Sequence, residues 1–256
     1  MLRRRIIPRI LVREQASRLV AVVSKDFNRF FTVGNPLSQV KIMDSNKADE
    51  ISIIYTDEPS QEKKDKFFDF LDLAVKSSMT PISAGGGIHT VDEMRRFMGA
   101  GIEKLVLPIN PTLENLDLVE KVASRHGSQA LQVSLDYRVA GDRFLLKTSE
   151  RALNAEEIDS MLSKYIEAGA GEISFCSIDR DGSKSGLDLT LLKLLIADIS
   201  VPVILGGGAG EIEHFVEGLV AGADGVVSGT YLARMDHSLL QVRSKIAVQG
   251  VNVREI

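Results

Sequence analysis

The chain has 256 residues, 44% of them hydrophobic, 26% charged and 5% aromatic, with a formal net charge of −4. That suits one α/β barrel or two smaller domains, and it leaves no basic excess to hold nucleic acid or an acidic membrane. With no Trp there is also little material for base stacking. The single cysteine, Cys176, rules out a disulfide framework and a thiolate metal site, and within ISFCSI it reads as a small buried core residue. No stretch reaches the ~20 apolar residues of a membrane span. The basic start MLRRRIIPRI is broken by Pro8 and Arg9 and has no small-residue cleavage site after it, so it reads as mature protein. A cytoplasmic enzyme with no metal or cofactor is the expectation.

Taken in chain order, short apolar runs, often β-branched, predict strands at 5–12, 50–55, 81–84, 104–109, 130–135, 172–178, 201–205 and 224–228. The first run leads into a long segment, 14–33, in which SRLVAVVS and RFFTV can form a hairpin. Amphipathic stretches follow most strands, among them VDEMRRFMGAG and EIEHFVEGLVAG, with apolar residues spaced by three and four. The third and seventh units also repeat each other. PISAGGGIHTVDEMRRFMGAGIEKLVLP from Pro81 matches PVILGGGAGEIEHFVEGLVAGADGVVSG from Pro202. ADEISIIYTD from Ala48 likewise matches AGEISFCSID from Ala170. The chain therefore reads as one domain, 1–256, made of half-repeats of about 1–125 and 126–256. Eight strand–helix units in two equal halves predict an α/β fold, a closed (βα)8 TIM barrel, with a doubly wound open sheet as the alternative.

In such a barrel the chemistry sits where strands end. Each GGG closes a strand and opens a helix, so its amides can face an anion, although a plain tight turn needs the same glycines. This makes Gly86 and Gly87 in the first half, and Gly207 and Gly208 in the second, candidates for phosphate binding. Strand eight ends VVSGTY, which places Gly229 and Thr230 opposite the second glycine turn. The first-half counterpart of Gly229 is Pro108, which has no N–H to donate, so that site is expected to be weaker. DRDGSKSG at 179–186 has acids and hydroxyls suited to a sugar or to a solvated turn, and Asp181 is its candidate ligand. Asp136 ends the apolar run LQVSL, where a carboxylate must be paired, hydrated or functional. General acid–base work and structural hydrogen bonding are both open to it. Its half-repeat partner is Leu11, so a symmetric pair of carboxylates is absent.

RIIP at 5–8, ADE at 48–50, GGGI at 85–88, RHGSQ at 125–129, GAGEI at 169–173, DRDG at 179–182 and GGAG at 207–210 occur in an order that resembles the cyclase subunit of imidazole glycerol phosphate synthase, over nearly the whole chain. The resemblance implies a partner glutaminase, of the class I amidotransferases, docked on the N-terminal face of the barrel. It also implies ammonia carried through the barrel to a phosphorylated sugar-like substrate, and two aspartates acting as acid and base. Carried over by position, Asp136 is the second of these aspartates, and the first falls on Leu11. A cysteine common in the family falls on Arg9, a lysine of its mobile first loop on Ala21, and an Asn-Thr pair on Pro108 and Ile109. The family's ammonia gate, a ring of two cations and two anions, falls on Arg5, Glu50, Lys104 and Glu172, all present here. A structural salt-bridge plug would use the same four residues.

These departures suggest a divergent paralogue of the kind found in surface-polysaccharide amidination clusters, where ammonia is built into a sugar. Two other readings stand beside it. One is a working histidine-pathway cyclase whose missing acid is supplied by Asp57, Asp179 or Asp181. The other is a non-catalytic activator of a glutaminase.

Overall fold

The computed structural model describes residues 3–57, 60–234 and 238–254. Its strands in chain order are β1 (Arg5–Gln15), β2 (Arg18–Lys25), β3 (Arg29–Gly34), β4 (Ile51–Tyr55), β5 (Ile82–Gly85) and β6 (Lys104–Pro108). They continue with β7 (Leu131–Ala140), β8 (Arg143–Leu146), β9 (Ala152–Leu153), β10 (Glu172–Ser177), β11 (Val203–Gly206) and β12 (Gly225–Ser228). Eight of them, β1, β4, β5, β6, β7, β10, β11 and β12, pair in parallel in that order. Two contacts join the halves: β6 pairs with β7 from Leu105/Leu131 to Pro108/Ser134, and β12 returns to β1 from Gly225/Arg5 to Ser228/Pro8; β7 pairs with β10 within the second half. The result is the closed (βα)8 barrel expected from the periodicity, not the open sheet.

The helices are α1 (Pro36–Ser45), α2 (Gln61–Lys76), α3 (Val91–Gly99), α4 (Leu116–His126), α5 (Ala155–Glu167), α6 (Thr190–Leu195), α7 (Ile212–Val220), α8 (Thr230–Arg234) and α9 (Leu239–Val248). Their starts are written locally. Thr90 with Glu93, Asn154 with Glu157 and Ser238 with Gln241 each form a reciprocal capping box, satisfying two amides that the first turn would otherwise orphan. Asn35 caps α1 just before Pro36, whose missing N–H costs nothing at that position.

Strand alternation divides the barrel into two apolar regions. Outward residues such as Ile6, Ile53, Leu105, Val133 and Ile173 are buried against the helices in one large cluster. A small second cluster, Ile7, Cys176, Ile204 and Val227, fills the lumen. Cys176 is thus fully buried as expected, though inside the barrel and not under the helices.

The hairpin expected over 14–33 is β2–β3, joined antiparallel to the far end of β1 through Leu11/Val22 and Gln15/Arg18. A second arm, β8–β9, leaves the far end of β7 in the same way. The sequence reading did not foresee it, although VAGDRF carries a turn at Gly141 (φ 68°) between apolar runs. Both β1 and β7 consequently run past their expected ends.

Candidate functional site

Four charges close the strand-start end. Arg5 Nη1 lies 3.0 Å from Glu50 and Arg5 Nη2 pairs with Glu172. Lys104 Nζ lies 2.9 Å from Glu50 and 2.8 Å from Glu172. The two carboxylates occupy matching half-repeat positions, whereas both cations come from the first half. Burial alone would raise the Glu50 pKa, but Lys104, Ser83 and Arg5 outweigh it and hold the carboxyl below its usual range. Burial works against the Arg5 charge, and Glu172 and Glu50 more than compensate. Above the ring, Ser52, Ser83 and Ser174 turn into the lumen by strand alternation, all buried, and the Ser174 hydroxyl has no partner.

A cavity of about 310 Å³ opens at the strand ends. Arg9, Leu11 and Asp136 form its floor, Phe27 and Phe30 give it aromatic walls, and Gly86, Gly87 and Lys147 also line it. Asp136 Oδ1 accepts a hydrogen bond of 3.0 Å from Ser134 Oγ. A smaller cavity beside it brings together Gly207, Gly208, Gly229 and Thr230, and shares Arg9 and Asp181 with the first. Every predicted strand-end residue thus lines one of two adjoining spaces.

The glycine turns are needed for packing whatever they bind. Gly86 has φ +106°, and a Cβ there would lie 2.2 Å from the Tyr55 carbonyl oxygen. Gly207 has φ +84°, and a Cβ there would lie 2.3 Å from the Ser177 carbonyl oxygen. Tyr55 and Ser177 are themselves half-repeat counterparts, so the same close approach is built twice.

Three acids considered as replacements at position 11 are occupied. Asp57 pairs with Arg13 at 2.9 Å and accepts from the Glu14 amide at 2.5 Å. Asp179 repeats this arrangement in the second half, pairing with Arg138 at 2.7 Å and accepting from the Val139 amide at 3.0 Å. Asp181, expected to bind a sugar, turns its Oδ2 to the β2–β3 arm, accepting from Ser24 Oγ at 2.6 Å and from the Phe27 amide at 3.2 Å. Burial raises its pKa, partly offset by those two donors. Asp181 therefore ties the arm to the loop after β10. Ala21, where the family's mobile lysine would fall, is buried opposite Val12 in the arm and points to no such role.

Arg9 is the residue whose part the sequence concealed. From β1 it crosses the lumen, and Nη1 lies 3.1 Å from Cys176 Sγ on β10, three strands away around the ring. Burial works against its charge, but Cys176, Asp136 and Asp181 together raise its pKa. Lys147, on the unforeseen β8–β9 arm, sits 5.4 Å from the Phe27 ring centroid.

Comparison with known proteins follows the same outline. Residues 5–237 match the model of the histidine biosynthesis protein family. An imidazole glycerol phosphate synthase subunit HisF of Gluconacetobacter diazotrophicus is 32% identical over 256 residues, covering 99% of this chain and 97% of its own. Two proteins named provisionally as imidazole glycerol phosphate synthase subunit hisF2, from Prochlorococcus marinus and Campylobacter jejuni, are each 31% identical over 99% of both chains. The chain belongs to the imidazole glycerol phosphate synthase cyclase-subunit family, within which it is a divergent paralogue.

Proposed function

We propose that this barrel is the ammonia-receiving subunit of a glutamine amidotransferase, with chemistry at the strand ends that is no longer the histidine-pathway cyclisation. A glutaminase subunit docks on the strand-start face and releases ammonia at the ring of Arg5, Glu50, Lys104 and Glu172. The ammonia passes the serine-lined lumen and is used, or handed on, at the strand-end cavities, where a phosphorylated sugar-like acceptor sits. Amidination of a surface sugar is the destination this reading favours.

The observation that carries it is the contrast between an intact ring and a strand-end cavity in which Asp57 is paired with Arg13 and Asp181 with the β2–β3 arm, leaving Asp136 as its one carboxylate held by neither. Asp136 faces Leu11, and leucine cannot move a proton; losing one member of an acid–base pair typically costs on the order of 10²–10⁴ in rate. The acids that could stand in, Asp57, Asp179 and Asp181, are held by Arg13, Arg138 and the β2–β3 arm. Docking at the strand starts also fits the exposed apolar residues. Met79 lies in the turn before β5, and Val220 and Val248 end α7 and α9; they are 95%, 72% and 88% exposed, all on the strand-start half.

The test is turnover of the bisphosphorylated ribulosyl substrate of the histidine pathway, with ammonium salt supplied directly. No turnover is expected from the wild-type chain, and measurable recovery from Leu11→Asp. Robust turnover by the wild type would overturn the reading. Stimulation of a co-purified glutaminase with no ammonia passed to any sugar acceptor would favour an activator instead.

A further inference from the structure

Arg9 stands in the lumen without the partners that the lower cations have. Arg5 and Lys104 each bridge two carboxylates, whereas among the described residues the one side-chain hydrogen bond of Arg9 runs to a thiol, and its Nε is buried with no partner. A thiol is a weak acceptor, and burial pushes the Cys176 pKa up against the lowering by Arg9, so Cys176 is a poorer partner for a guanidinium than a carboxylate is. Asp136 Oδ1 accepts from Ser134 and Asp181 Oδ2 accepts from the β2–β3 arm. Among the described residues no carboxylate makes an ion pair with Arg9. A desolvated guanidinium left in this way is costly, and an incoming anion relieves that cost.

The surroundings define the anion. Arg9 lines both the roughly 310 Å³ cavity and the glycine-turn cavity beside it, so a ligand in either reaches the same guanidinium. Lys147 adds a second cation to the larger space, and Phe27 and Phe30 offer apolar faces to a sugar ring. A planar guanidinium with free N–H groups matches a carboxylate or phosphate bidentately.

We propose that Arg9 is an anion receptor at the floor of the strand-end cavity, taking a carboxylate or phosphate of the ligand and releasing Cys176 as it does so. This rests on the proposed function only in calling the ligand the ammonia acceptor.

Cys176 is the sole cysteine, so its thiol reports on Arg9 without engineering. The reaction of the full chain with methyl methanethiosulfonate is followed at matched ionic strength in inorganic phosphate, in glucuronate, and in glucose as a neutral control. Either anion is expected to slow the wild-type reaction on the order of tenfold, because it draws off the guanidinium that lowers the Cys176 pKa and covers the cavity floor, with glucose inert and Arg9→Met unresponsive. The anion with the larger effect identifies the phosphate or carboxylate source. No slowing of the wild type by either anion, or equal slowing in Arg9→Met, overturns the proposal. Should Arg9→Met fail to fold, Arg9→Lys replaces it: the charge is kept and the bidentate fork lost, so an undiminished response to both anions counts against the proposal. No glutaminase or ammonia enters the assay, so failure here leaves the amidotransferase reading standing, and failure of that reading leaves this site standing.

Discussion

At the strand starts, Arg5 and Lys104 each meet both Glu50 and Glu172; at the strand ends, Arg9 meets a thiol and Asp136 a serine hydroxyl. The lower charges saturate one another and leave no demand for a ligand. The upper charges are left incomplete in the same lumen, a few residues along the same strands. A barrel wall thus supplies two environments from one alternation, because which charges face each other is decided by the single inward residue of each strand. Near the strand starts two cations meet two carboxylates, whereas farther along the same lumen a guanidinium meets a thiol.

The sharpest way to break that contrast is to remove one member of the ring. Glu50→Ala leaves Arg5 and Lys104 sharing Glu172, and removing one partner of a buried pair typically costs about 3–5 kcal/mol. Urea unfolding should show the midpoint fall with little change in slope. A loss below about 1 kcal/mol would mean the ring is solvated like a surface pair.

Next in size are the glycine turns, which compare the two halves. Gly86→Ala and Gly207→Ala each force a left-handed backbone and drive a Cβ into a carbonyl oxygen, at 2.2 and 2.3 Å. Each is expected to lose about 1–3 kcal/mol in the same unfolding experiment. Equal losses would mark both turns as packing devices, whatever either binds.

Much of this was legible in the sequence, and the limits have physical reasons. The eight strands show as apolar runs because both faces of a barrel strand are covered, and the ring residues show because each stands at a predicted strand start. The latches do not show. Asp57 and Asp179 are evident as repeat counterparts, yet their bonds to Arg13 and Arg138 cross to a different strand–helix unit, where spacing carries no information. Arg9 and Cys176 are separated by 167 positions and three strands, so each reads alone as a departure or a core residue. Asp181 had the right place and another duty, because the arm it holds was foreseen only as a possible hairpin.

The duplicated latches give a smaller effect and a direct comparison of the halves. Asp57 is 7% exposed and Asp179 41%. Asp57→Asn leaves the guanidinium of Arg13 without its partner in a largely buried place, for a loss of about 1–3 kcal/mol. Asp179→Asn acts on an exposed pair that solvent screens, so about 0–1 kcal/mol is expected. Equal losses would show that the shared backbone contact, to Glu14 and to Val139, decides the energy and the ion pair does not.

The smallest effect is a pH dependence confined to the ring. The Glu50 carboxyl has a folded pKa below its ordinary value of 4.5, because Lys104, Ser83 and Arg5 outweigh the burial that would raise it. The unfolded chain therefore takes up this proton first as the pH falls. The stabilisation from Glu50 is complete above about 4.5 and is lost as the pH drops through the folded value, with no change expected between neutrality and about pH 5.5. Glu50→Gln cannot titrate, so its thermal midpoint should fall less steeply than the wild type's below pH 4.5, even though it starts lower. If the two curves run parallel in that range, the ring is not where acid acts, and the other depressed carboxyls become the place to look. Glu93, held down to about 2 by Lys64 and backbone donors against the burial that would raise it, is the first of these.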